Sequence, residues 1–258
     1  MLYSTALVTG ASAGFGRAIC KSLVKDGLKV IACARREDKL QSLRDELGEA
    51  LLPVVLDVTD NEAIDRVLSS LPDGFKDIDV LVNNAGLALG LNKIQDSTMA
   101  DMQIMLDTNI KGLVAMTAAV SKSMMARNKG FIINLGSIAG DWPYTGGNIY
   151  GASKAFVAQF SRNLRTDFHG SAIKVCCIKP GLCSDTEFSY VRFAGDEGRV
   201  KATYDNVEAI TPEDIASLVS YLVSLPRHVN INDIEMMPVA QCYAGPAVVK
   251  GDIFTNKG

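Results

Sequence analysis

No apolar run in the sequence is long enough to span a bilayer. Its first residues, Met1-Leu2-Tyr3-Ser4, lead straight into an apolar strand pattern, without the basic stretch or cleavage site of a signal peptide. No membrane contact is expected, and the expected location is cytoplasmic. A surplus of basic residues is also missing. The 26 Lys and Arg stand against 29 Asp and Glu, for a net charge of −3. That balance argues against a general binder of nucleic acid or anionic membranes. The six cysteines (Cys20, Cys33, Cys176, Cys177, Cys183 and Cys242) never form a Cys-x-x-Cys pair. Neither a zinc ribbon nor a redox couple is expected, only reduced and mostly packed thiols, with no bound metal. No internal repeat or low-complexity linker interrupts the chain.

What is present is ordinary globular composition: 258 residues, 48% hydrophobic and 21% charged. A chain of this size buries enough core to need no disulfide or metal. At about 150 residues per domain it holds one domain or two. Short apolar runs alternate with amphipathic segments. The strands read as 6–8, 30–34, 51–56, 78–82, 131–135, 173–178 and 234–238. Helical patterns fall between them at 15–25, 37–47, 60–71, 98–127 (in two segments), 150–168 and 212–225. All-apolar strands separated by helices specify an α/β fold with a doubly wound parallel sheet covered on both faces. One domain over residues 1–258 is expected, with its ligand site beyond the carboxyl ends of the strands. Residues 182–210 lack this pattern and are rich in charge and glycine. They are read as a substrate lid or a surface excursion.

The first strand ends in Thr9-Gly10-Ala11-Ser12-Ala13-Gly14-Phe15-Gly16. Glycines between a strand and a helix let backbone N–H groups approach a pyrophosphate at the helix N-terminus. The second strand ends Cys33-Ala34-Arg35-Arg36, where an NAD-preferring site usually carries an acid. Two guanidinium groups suit a 2′-phosphate instead, so NADP(H) is the expected cofactor, with Arg35 the first choice, Arg36 next and Ser12 a further donor. Tyr150 and Lys154 lie four apart and share a helix face. The ammonium is expected to lower the phenol's pKa from its ordinary ~10.

The spacing Thr-Gly-x-x-x-Gly-x-Gly resembles that of the short-chain dehydrogenase/reductase family, and further motifs follow in order. They are Asn83-Asn84-Ala85-Gly86, Asn109, Ser137, Tyr150-x-x-x-Lys154 and Pro180-Gly181. The resemblance implies a Rossmann fold and an oxidoreductase. In that family the tyrosine passes a proton to or from the substrate oxygen, and the lysine also binds the nicotinamide ribose. Ser137 then holds the substrate carbonyl, and Asn109 positions a proton-relay water. The resemblance further implies cofactor contacts from Gly10, Gly14, Phe15, Gly16, Asn83, Ala85 and Gly86. Asp57 and Val58 would lie against adenine, although Asp57 also reads as a helix cap. Pro180, Gly181 and Leu182 would back the nicotinamide, and Thr186 would reach the carboxamide or phosphates.

Residues 81–91, 142–153, 186–192 and 229–245 resemble one bacterial subgroup of the family. It comprises NADP-dependent 3-hydroxy acid (serine and allo-threonine) dehydrogenases, malonic semialdehyde reductases and sulfoacetaldehyde reductases. The substrate implied is a short aldehyde or hydroxy acid with an anionic group. Burying that anion demands a cation. Arg192 is the candidate, with a surface salt bridge as its alternative. Trp142, Tyr144 and Asn148 are candidate pocket residues, Trp142 with a packing role as its alternative. Lys179 is read as solvent-facing rather than as an aid to an anionic substrate. Reduction of sulfoacetaldehyde to isethionate, reduction of a neutral carbonyl, and a non-catalytic NADP(H) sensor remain as alternatives. The tail around 238–251, with Tyr243-Ala244-Gly245-Pro246, implies a homotetramer by resemblance, and residues 254–258 either fray or cover a neighbour's site.

Overall fold

A computed structural model describes residues 2–243. Its centre is a seven-stranded sheet in the order β3-β2-β1-β4-β5-β6-β7, every pair parallel. The strands are β1 (Thr5–Thr9), β2 (Lys29–Ala34), β3 (Leu51–Val55), β4 (Val80–Asn83), β5 (Gly130–Leu135), β6 (Ile173–Pro180) and β7 (Asp233–Met236). The helices are α1 (Gly14–Lys25), α2 (Glu37–Leu47), α3 (Asn61–Ser70), α4 (Met99–Leu106), α5 (Leu113–Arg127), α6 (Asn148–Asp167), α7 (Phe188–Arg192), α8 (Glu197–Tyr204) and α9 (Pro212–Ser224). This is the doubly wound α/β architecture expected from the alternation. Among the described residues no helix is long and apolar enough to cross a membrane.

Strand side chains alternate between faces, so each strand feeds two cores. Ala6, Val8, Val30, Ala32, Val80 and Val82 meet α1, α2 and α9 through Ile19, Leu23, Leu40, Leu43, Ile215 and Val219. Leu7, Ile31, Leu81, Ile132 and Val175 face the other way, onto Ile64 of α3, Met116 and Val120 of α5, and Leu164 of α6. Every residue of β1, β5 and β6 is buried. Each large apolar side chain so enclosed contributes roughly 1.5–3 kcal/mol. The cysteines follow the same logic: Cys20, Cys33, Cys176 and Cys177 are buried, and all six are free.

Two local features position the site. The helical stretch 98–127 is broken as expected, but by a π-helical turn over Asp107–Gly112 that joins α4 to α5. The turn buries Asn109, and such turns recur at functional sites. The segment 182–210 is not featureless: it holds α7 and α8.

Candidate active site

Strand order reverses at β1, whose neighbours are β2 and β4. Open α/β sheets bind ligands at that point, beyond the carboxyl strand ends. A cleft of about 820 Å³ lies there. Gly10, at φ +66°, turns the chain away from β1, and a Cβ on it would lie 2.8 Å from Asn84 Nδ2. Gly10, Ser12, Gly14 and Phe15 line the cleft. Gly16 does not. A Cβ there would meet the Gly10 carbonyl at 2.3 Å, so this glycine lets α1 close onto β1. The N-cap of α1 is Ala13, which offers no side-chain acceptor, and the first turn carries no acid. Its free amides suit a pyrophosphate.

The motif after β4 needs a correction. Asn83 points into the sheet, donating to Thr117 Oγ1 at 2.8 Å and Asn134 Oδ1 at 2.9 Å. It is buried and does not line the cleft. Its neighbour Asn84 does line it, with Ala85 and Gly86. Asn84 Nδ2 donates to the Thr9 carbonyl at 2.8 Å, while Thr9 Oγ1 accepts from the Asn84 and Ala85 amides. Strand alternation is the reason: adjacent asparagines face opposite sides.

At the adenosine end both arginines line the cleft, but their contacts differ. Arg36 donates to Ser12 Oγ through Nε and Nη2 at 3.3 and 2.9 Å, and makes a two-pronged pair with Glu187. Arg35 is largely exposed, 4.0 Å from Asp57. Asp57 and Val58 line the cleft. Asp57 Oδ1 accepts from the amide and hydroxyl of Thr59, and the cap of α3 is Asp60 instead.

At the other end Tyr150, Lys154 and Ser137 line one cleft. Tyr150 sits in the first turn of α6 and Lys154 one turn later. Ser137 caps the short turn after β5, its Oγ accepting from the Ala139 amide at 3.1 Å. Lys154 is buried, and Nζ donates to the Leu135 carbonyl at 2.8 Å. Burial pushes its pKa down to about 8. The expected lowering of Tyr150 is not found. Burial pushes the phenol up to about 12, with Ser137 and Arg192 pulling the other way. Lys154 Nζ lies 5.8 Å from the tyrosine ring centroid, and its ammonium is spent on the Leu135 carbonyl. Asn109 stands behind the cleft rather than in its wall. Its amide clamps both backbone groups of Leu87 at 2.9 Å and donates to Ser153 Oγ at 3.1 Å.

Arg192 lines the cleft and forms no ion pair among the described residues. Its Nη2 donates to the Tyr144 hydroxyl at 2.7 Å and its Nε to the Gly90 carbonyl at 3.2 Å. The surface salt bridge is thus not what holds it. Trp142 and Tyr144 line the cleft. Trp142 also packs on Tyr243, with centroids 4.1 Å apart, and donates to Glu235 at 3.1 Å. Asn148 does not reach the cleft; its Nδ2 donates to the Asn92 carbonyl at 3.0 Å. Lys179 is neither solvent-facing nor in the cleft. It is buried on β6 and paired with Asp141 at 2.8 Å, because a strand covered on both faces leaves an ammonium nowhere to go but a carboxylate.

Pro180, Gly181, Leu182 and Thr186 all line the cleft. Beside them in the wall stands Gln241, absent from the sequence reading, whose Oε1 accepts from the Leu182 amide at 2.8 Å. Cys183, Phe188 and Tyr243 were also missed as wall residues. The expectations for the tail from residue 244 onward, the intersubunit reach and the last five residues among them, lie outside the described residues.

Comparison with known proteins agrees with this geometry. The short chain dehydrogenase family model matches residues 4–195. The NADP-dependent 3-hydroxy acid dehydrogenase YdfG of Escherichia coli is 56% identical, over 93% of this chain and 96% of that protein. The serine 3-dehydrogenase of Agrobacterium fabrum is 46% identical, over 93% and 96%. A solved serine dehydrogenase, in its closed form complexed with NADP+, superimposes with a TM-score of 0.95 at 55% identity, covering 96% of this chain and all of that one. Since the family match spans most of the chain and its relatives align over nearly their whole length, the chain belongs to the short chain dehydrogenase family.

Proposed function

We propose that the chain is an NADP(H)-dependent oxidoreductase interconverting a short hydroxy acid and the corresponding aldehyde or ketone. One observation carries the substrate class: Arg192, without an acidic partner among the described residues, lies over the ring of Tyr150, its guanidinium carbon 5.7 Å from the centroid. A cation so placed holds an anionic group a fixed short distance from the reacting carbon. The names of relatives point the same way, to NADP, 3-hydroxy acids and serine.

Arg36, Ser12 and the α1 N-terminus suit the phosphates of NADP(H), and Asn84, Gly86 and the 180–182 turn suit its nicotinamide half. When bound, that ring supplies or takes up the hydride. In oxidation the Tyr150 oxygen accepts the hydroxyl proton as hydride leaves the adjacent carbon. In reduction it returns the proton to the carbonyl oxygen. Ser137 donates a hydrogen bond to that oxygen. Lys154, near 8, exchanges its proton close to neutral pH. Asn109 acts from behind, fixing Leu87 and Ser153. Residues 182–210 form the lid, with Phe188 and Arg192 turned toward substrate.

A carboxylate is the anion we favour. Sulfoacetaldehyde, whose sulfonate shares its charge over three oxygens, is the variant within the same class. Assembly as a homotetramer belongs to the same proposal; exposed Met125 on α5 and Phe156 on α6 give apolar surface to cover. A panel assay tests the reading. NADPH is offered with malonic semialdehyde, sulfoacetaldehyde and propionaldehyde, and NADP+ with serine and allo-threonine. Turnover concentrated on the anionic aldehydes and hydroxy acids is expected. Equal kcat/KM for propionaldehyde would remove the anion requirement.

A further inference from the structure

Glu187 stands just before α7, at the lid edge. Its two carboxylate oxygens meet the Arg36 guanidinium from Nη1 at 3.0 Å and Nη2 at 2.7 Å. The pair joins the end of β2 to the lid across 151 residues of chain. Both side chains are about half exposed. The hydrogen bonds from Arg36 hold the carboxyl below its usual range, so it is anionic at neutral pH. Arg35 takes no part; its nearest acid is Asp57.

We propose that Glu187 sets the strength of cofactor discrimination, as a built-in competitor for the guanidinium that receives the 2′-phosphate. This rests on the NADP(H) reading above. Arg36 has two donor edges. One is turned to Ser12 and the other is filled by Glu187. A 2′-phosphate brings up to two negative charges to the same group. It must either displace the carboxylate or sit beside it and be repelled. A 2′-hydroxyl meets no such conflict. Glu187 therefore holds the affinity for NADP(H) below what Arg36 and Ser12 alone would give. Its displacement also frees one end of the lid, while Arg192 keeps the other end on Gly90.

Calorimetric titration with two cofactor fragments tests this without turnover. Adenosine 2′,5′-bisphosphate carries the 2′-phosphate, and adenosine 5′-monophosphate lacks it. Glu187→Gln keeps the shape and removes the charge. It should tighten the bisphosphate about two- to fivefold, the scale of an exposed ion pair, and leave the monophosphate unchanged. The gain should shrink in high salt, and Glu187→Asp should stay near the parent protein. Unchanged or weaker bisphosphate binding in Glu187→Gln would overturn the proposal. Arg36→Ala separates this from the underlying reading. If that variant leaves the ratio of the two affinities unchanged, the phosphate does not sit at Arg36, and the placement of the 2′-phosphate falls with the competitor, while NADP(H) as the cofactor stands.

Discussion

The guanidinium of Arg192 lies over the aromatic ring of Tyr150, 5.7 Å from its centroid, and is pinned from behind by the Tyr144 hydroxyl and the Gly90 carbonyl. Those two bonds fix the direction of a long, rotamer-rich side chain before any ligand arrives, so little entropy remains to be lost on binding. They leave Nη1 without a partner among the described residues. In the proposed mechanism, a cation fixed beside the Tyr150 oxygen would act as a ruler for chain length.

Removing that cation should therefore split substrates by charge. Arg192→Gln is expected to raise KM for an anionic aldehyde about ten- to hundredfold, the range of a lost charge-assisted hydrogen bond. KM for propionaldehyde should move less than about twofold. Steady-state kinetics on both substrates decide it, and a parallel rise in the two would take Arg192 out of the substrate's reach.

Tyr150→Phe removes the oxygen proposed to transfer the proton and little else. We expect kcat to fall by about a thousandfold, within the span of general acid–base contributions. NADPH binding, followed by nucleotide fluorescence, should hold. The parent protein should show a matching pH dependence. Burial raises the phenol to about 12, so phenolate is scarce at neutral pH. Hydroxy acid oxidation should thus accelerate steadily from pH 7 to pH 10. A flat profile, or a Phe variant that still turns over, contradicts the assignment.

Much of this site is legible in the sequence because its parts are local. Tyr150 and Lys154 need only one helical turn to share a face, and the glycine loop needs only a strand end and a helix start. The fold is legible for the same reason, since strands buried on both faces leave unbroken apolar runs. What escaped depends on distant contacts or on direction. Asn83 and Asn84 are indistinguishable as letters, and only the strand's phase sends the second into the cleft. Glu187 and Gln241 act on partners 151 and 59 residues away. The two helices within 182–210 left no apolar stripe: α7 spans five residues, and α8 buries none of its side chains. The π turn around Asn109 has no compositional mark at all.

The two arginines after β2 should now separate. Arg36 reaches into the site through Ser12, whereas Arg35 stays largely in solvent. Arg36→Ala should raise KM for NADPH about ten- to hundredfold, as expected for a two-pronged contact with phosphate. NADH should be little affected. Arg35→Ala should cost NADPH no more than about threefold, since an exposed charge acts through screened attraction. Cofactor kinetics on both variants check the order, and a larger loss at Arg35 would restore the rank the sequence suggested.

Lys154 makes a prediction about stability rather than rate. Its ammonium is buried against a single carbonyl, that of Leu135, and burial brings its pKa from the ordinary 10.5 down to about 8. A folded-state value below the unfolded one means that, between the two, the unfolded chain holds more protons. Stability therefore rises with pH across that window, and the burial cost is carried in full below about 8. Each pKa unit corresponds to about 1.4 kcal/mol, so the cost at neutral pH is on the order of 3 kcal/mol. Lys154→Met keeps the length and removes the charge. It should unfold at higher urea than the parent protein at pH 7, and the advantage should largely vanish by pH 10, while turnover is lost at both. Equal or lower stability of the variant at pH 7 would mean that the bond to Leu135 offsets the burial of the charge. A lysine kept there at a net cost to the fold fits the proton chemistry proposed beside Tyr150.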